Sequence, residues 1–93
     1  MKRELITDET LMAALGSLDG WKGEDKMLKK RYFFANFAES LAFVNKVGEL
    51  AEAADHHPEI TFGWGYAELV LTTHDRGGVT DVDIALAQKI DSL

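Results

Sequence analysis

The sequence predicts an α+β fold: a four-stranded antiparallel sheet with three helices packed on one face, in the order α-β-β-α-β-β-α. Three observations carry it. Apolar residues recur at helical spacing in three stretches, opened in turn by the potential capping residues Thr7, Asn36 and Thr80. Four shorter stretches rich in aromatic and β-branched residues lie between them. Each neighbouring pair of these is joined by a short turn containing glycine or charged residues, the pattern of a hairpin.

In the first helix, predicted from Asp8 to Leu18, Thr7 caps a first turn that carries Asp8 and Glu9, and Leu11, Met12, Leu15 and Leu18 form its apolar side. Gly16 weakens the last turn. Trp21 to Glu24 and Met27 to Phe34 then form a hairpin around Glu24-Asp25-Lys26. In the second of these strands Lys30 shares a face with Leu28, Tyr32 and Phe34, and Lys29 and Arg31 share the other with Met27 and Phe33. Neither face is cleanly apolar, so an edge or intersubunit position is expected for it.

Asn36 caps the central helix, in which Phe37, Leu41, Val44, Gly48 and Ala51 fall within one arc at about 100° per residue. Phe43, Val47, Leu50 and Ala54 widen that arc, so the helix should face the sheet and a second partner. It should end near His56 or His57, because Pro58 disfavours helical backbone in the residue before it. Glu59 to Trp64 forms the third strand, Gly65 and Tyr66 lie at a turn, and Ala67 to His74 forms the fourth, with His74 on its more polar side. After Gly77-Gly78, Thr80 and Asp83 resemble a capping box that opens the last helix, whose apolar side is Ile84, Leu86, Ala87, Ile90 and Leu93.

The 93 residues contain no linker and are expected to form one domain spanning 1–93. A chain of this size buries only about 60–65% of the surface its unfolded form exposes, and 46% of its residues are hydrophobic, which favours self-association into a homodimer or a tetramer of dimers. The net charge of −6 argues against nucleic-acid or anionic-membrane partners, which are held by Lys and Arg on phosphate. Cysteine is absent, excluding disulfides, thiolate nucleophiles and Cys-ligated zinc. No secretory signal or membrane-spanning run is seen, so a cytoplasmic location is expected.

The chemistry concentrates at Asp55-His56-His57-Pro58, where two of the three histidines adjoin the single proline. As capping groups at a helix C-terminus they would contribute about 0.3–1 kcal/mol each. A pair backed by a third histidine, His74, points instead to acid–base work, since the imidazole titrates near neutral pH.

The pattern E-x-x-x-H-H-P at Glu52 to Pro58, the Thr73-His74 pair with sixteen residues between His57 and His74, and the Gly78-Val79-Thr80-Asp81-Val82-Asp83 helix start together resemble the pterin-4a-carbinolamine dehydratase family. Tyr32 to Phe37, with Leu41-Ala42-Phe43 and Val47, extends the resemblance toward residue 27. It implies a hydro-lyase that dehydrates 4a-hydroxytetrahydrobiopterin to quinonoid dihydropterin without metal or cofactor, recycling the pterin of aromatic amino acid hydroxylases. It further implies that His56, His57 and His74 form the catalytic set, with Glu52, Asp55, Pro58 and Asp83 supporting substrate binding. The chain departs from the family pattern at Ile60, where many members carry Trp, and at Val82, where they carry Arg. Phe62 or Trp64 is the expected replacement for the missing aromatic wall.

Two alternatives belong to other classes. Three histidines with nearby carboxylates could ligate zinc or iron, although adjacent His56 and His57 diverge by about 100° on a helix or about 180° on a strand. Animal members of the resembling family also serve as dimerisation cofactors for a homeodomain transcription factor, a role that uses helical surface rather than the histidines.

Overall fold

The computed structural model describes residues 3–93. Its elements are α1 (Asp8–Leu15), β1 (Lys22–Glu24), β2 (Met27–Phe33), α2 (Phe37–Ala54), β3 (Glu59–Gly63), β4 (Tyr66–Leu71) and α3 (Asp81–Asp91), the predicted order. The strands form one antiparallel sheet in the order β1-β2-β4-β3, and the helices pack on one of its faces.

Local chemistry sets most of the boundaries. The Thr7 hydroxyl accepts from the Thr10 amide at 3.1 Å, and the Asn36 side chain accepts from the Glu39 amide at 2.9 Å. Helix α1 stops at Leu15, three residues short of its predicted end. The Ser17 amide and hydroxyl both take the Ala14 carbonyl, and the chain then turns Leu18 into the core. Met12, expected on the apolar side, is 73% exposed. Between β1 and β2, Asp25 and Lys26 both have positive φ, at 53° and 62°, as a two-residue type I′ turn requires.

Strand β2 corrects the expectation of an edge position, since it lies between β1 and β4. Leu28 is buried against Leu69 and Leu71 of β4, and Lys30, on the same side, is neutralised from the far end of the chain. Its ammonium donates to Asp91 Oδ1 at 3.0 Å and to the Asp19 carbonyl at 2.6 Å. Asp91 also accepts from the Tyr32 hydroxyl at 2.6 Å and the Trp21 indole at 3.0 Å. Burial, then Asp91, push the Tyr32 phenol well above its ordinary pKa.

Helix α2 buries Ser40, Val47 and Ala51 against the sheet and α3, whereas Phe37 and Leu41 are 46% and 39% exposed. It ends at Ala54, earlier than the proline alone would dictate. Asp55 takes a left-handed conformation with φ 50°, its amide bonds to the Glu52 carbonyl, and the His56 amide bonds to the Ala51 carbonyl at 3.0 Å. This is a Schellman closure with aspartate where glycine is usual. His56 and His57 therefore lie beyond the helix, not in its last turn. Among the described residues, no helix is long and apolar enough to cross a membrane.

Candidate active site

The site is built where α2 leaves its cap, where β4 ends and where α3 begins. Strand β4 ends at Leu71, which pairs with Leu28 at the start of β2, so no partner strand continues beyond it. Thr72 instead donates its hydroxyl to the Lys26 carbonyl at 2.9 Å, and Thr73 bridges to Gly78. His74 thus opens a single 3₁₀ turn, His74–Arg76, rather than closing the strand as expected. Gly77, with φ 77°, reverses the chain after it.

That reversal delivers Thr80 to the start of α3, where Thr80 and Asp83 form the predicted capping box. The Asp83 carboxylate is fully buried and fully engaged. Its Oδ2 accepts from the Thr80 amide at 2.8 Å and the Thr73 hydroxyl at 2.9 Å, and its Oδ1 meets Nε2 of His56. With Thr73 donating to Asp83, the Thr80 hydroxyl donates to Thr73 Oγ1 at 2.9 Å. His56 is 5% exposed, and because a carboxylate only accepts, its Nε2 carries a hydrogen and leaves Nδ1 as the exchangeable ring nitrogen. Asp83 orients His56 from beneath and has no surface of its own for a ligand.

His57 is exposed and points its Nε2 at the exposed Glu52, so the adjacent rings are held by different carboxylates. His74 is exposed and makes no side-chain hydrogen bond among the described residues.

All three histidines, with Arg3, Asp55, Thr72, Thr73 and Asp75, line one open cavity of about 290 Å³. The sequence reading named the histidines and Asp55 but missed Thr73, the hydroxyl that ties the β4 end to Asp83. Its only local signal was its place next to His74. Glu52 and Pro58 do not line the cavity; Glu52 acts on it through His57, and half-buried Pro58 leads into β3. Phe62 and Trp64 do not supply the expected aromatic wall. Strand β3 runs away from Pro58, carrying Phe62 against Phe37, with ring centroids 5.8 Å apart, and leaving Trp64 72% exposed at the β3–β4 turn. Ile60 packs against the core. Among the described residues, no three or more His, Asp or Glu side chains are grouped closely enough to hold a metal ion.

A protein of Thermomicrobium roseum named "Putative pterin-4-alpha-carbinolamine dehydratase" is 47% identical over 88 residues, covering 95% of each chain. The crystal structure of a "transcriptional coactivator/pterin dehydratase" from Brucella melitensis superposes with a TM-score of 0.91 at 31% identity, covering 96% of this chain and 97% of that one. A "pterin dehydratase-like protein" described as a RuBisCO assembly factor in the alpha-carboxysome gives a TM-score of 0.63 at 30% identity, covering 77% of this chain and 83% of that one. The family described as pterin 4 alpha carbinolamine dehydratase matches residues 4–93, a span that takes in the capped α2 exit, the Thr73-His74 turn and the Thr80–Asp83 box. On that match the chain belongs to the pterin 4 alpha carbinolamine dehydratase family.

Proposed function

We propose that the chain, acting as one domain over residues 1–93, dehydrates 4a-hydroxytetrahydrobiopterin to quinonoid dihydropterin and water, serving the pterin turnover of aromatic amino acid hydroxylases in the cytoplasm. The observation that carries this reading is the convergence of His56, His57 and His74 on one cavity, with two of the rings oriented by carboxylates. In the reaction a base takes the proton from N5 of the pterin, the nitrogen lone pair forms the C4a–N5 double bond, and the C4a–O bond breaks as an acid protonates the departing hydroxyl. No net oxidation occurs. The reaction therefore needs only one proton acceptor and one donor on either side of a planar ring.

His56 and His74 take these two parts because they reach the cavity from different elements. Asp83 keeps the hydrogen of His56 on Nε2 and presents Nδ1 for exchange, and each positioned acid or base is typically worth about 10²–10⁴ in rate. His57, braced by Glu52, holds the substrate. The test is a carbinolamine dehydration assay on the purified chain, following quinonoid product. A rate no faster than the uncatalysed reaction would remove the proposal.

A second reading, a protein-binding module on the same fold, rests on the exposed apolar side chains Phe33, Phe37, Leu41 and Trp64. It uses a surface separate from the histidine cavity, so both readings can hold of one chain.

A further inference from the structure

Beside the histidine cavity lies a second, larger one of about 400 Å³, lined by Arg3, Ala54, Asp55, Val82, Ala85, Leu86 and Lys89. The two cavities share Arg3 and Asp55. Their common rim is a built feature. The stretch before α1 is pinned to the start of α3 by the Leu5–Thr80 bridge, by the Ile6 amide on the Val79 carbonyl at 3.2 Å and by the Glu4 amide on Asp81 Oδ1 at 3.1 Å. Arg3 precedes that anchor with φ 55°, its carbonyl accepts from Arg76 Nε at 3.1 Å, and its Nη2 donates to the Asp55 carbonyl at 2.5 Å. The guanidinium is thereby placed between the two cavities.

The second cavity has a chemical character of its own. Its floor is aliphatic, from Val82, Ala85 and Leu86, and its charged lining consists of two cations, Arg3 and Lys89, against one carboxylate, Asp55. In a chain of net charge −6 that local excess of positive charge runs against the average. Asp55 is tied to Arg3 through its backbone carbonyl, not through its carboxylate. Among the described residues, the Lys89 ammonium and the other guanidinium N–H groups of Arg3 have no hydrogen-bond partner. A guanidinium fork and an ammonium above an aliphatic floor suit an oxyanion carried on a short carbon arm.

We infer that this groove is a subsite for the side chain of the pterin ring, and that it selects ligands whose side chain ends in a carboxylate or phosphate. The inference rests on the proposed pterin site, from which a side chain would cross the Arg3–Asp55 rim into the groove. Arg3 and Lys89 would set specificity without taking part in proton transfer.

The test compares matched pterins with a neutral hydroxyalkyl side chain, a phosphate ester and a glutamyl arm. Affinity is measured by calorimetry with the unreactive 7,8-dihydropterins, and turnover with the carbinolamines. The anionic ligands should bind about tenfold or more tightly than the neutral one at low salt, with the advantage shrinking as salt is raised. In Arg3→Gln and in Lys89→Gln, with folding checked by circular dichroism, the anionic-to-neutral ratio should fall to within about twofold. Whichever anionic ligand binds better identifies the tail as phosphate or carboxylate. Equal affinity of the native chain for neutral and anionic pterins, or a preference that survives both substitutions, would overturn the subsite. Selective binding without turnover would sink the proposed dehydration and leave the subsite standing; turnover without selectivity would do the reverse. Failure to bind any pterin would overturn both.

Discussion

The buried imidazole of His56 rests on the buried carboxylate of Asp83, which comes from the first turn of a helix 27 residues further along the chain. The same carboxylate closes the capping box of α3 and accepts from Thr73, so the elements that make the cavity meet on one side chain. This makes Asp83→Asn an informative substitution. The carboxamide offers one acceptor oxygen where three donors converge. If that oxygen stays with the Thr80 amide and Thr73, the new amino group faces His56 Nε2 and drives the ring hydrogen to Nδ1. Turnover should fall about 10²-fold with little change in KM, and stability should drop by about 1–3 kcal/mol. Loss of stability with native kcat would mean that Asp83 serves only the helix cap.

The three histidines should separate kinetically. His56→Ala and His74→Ala remove proton-transfer groups and should each lower kcat about 10²-fold or more at little change in KM. His57→Ala should chiefly raise KM, because uniform binding is lost from ground and transition states alike. Glu52→Gln should follow His57→Ala more weakly. Steady-state kinetics on folded variants check this, and near-native turnover in all three alanine variants would remove the histidines from the chemistry.

Much of the fold could be read from the chain because its determinants are local. Thr7, Asn36 and Thr80 cap helices through residues three positions on, and the β1–β2 turn is set by two adjacent residues. The place of β2 could not be read, because the charge that spoils its apolar face is balanced by Asp91, 61 residues away. The end of β4 was misjudged for a related reason, since a strand ends where its partner does and the partner here begins at Met27. The histidine site was legible as a set of residue types with a spacing. Its supports Arg3 and Thr73 were not, as the bonds that tie them to the site run to Asp55, 52 residues away, and to Asp83, 10 residues away.

The Tyr32 phenol, held neutral by burial and by Asp91, gives an alkaline signature. Its folded pKa lies above the unfolded value of about 10, so the folded state binds the proton more tightly. The corresponding stability is fully present below about pH 10 and is lost as pH rises further. Thermal unfolding should therefore show Tm falling above about pH 10, more shallowly in Tyr32→Phe. Equal slopes would contradict this role for Tyr32.

Metal independence is the outcome expected of a site whose first two rings are already engaged by carboxylates. His56 Nε2 is committed to Asp83 and His57 Nε2 to Glu52, and among the described residues no three His, Asp or Glu side chains are grouped closely enough to hold an ion. Activity should survive dialysis against a strong chelator. Abolition by chelation, with restoration by one divalent ion alone, would count against the acid–base mechanism.

The last expectation concerns assembly. Strand β3 is an edge strand whose outer row of backbone groups has no partner strand among the described residues, and Phe33, Phe37, Leu41 and Trp64 stay exposed. Helix α2 also carries an open position at Gly48, where an added Cβ would meet nothing within 4 Å. An unpaired edge and an apolar flank on one small chain are better covered by further copies than left to water. Light scattering at micromolar concentration should give a mass of two or four times the 10.3 kDa chain. Leu41→Glu places a charge on α2 at a position outside the core cluster and should reduce the assembly by one step or dissociate it. A native chain that scatters only as a monomer would refute self-association, and an unchanged mass in the variant would move the interface off α2 to the β3 edge.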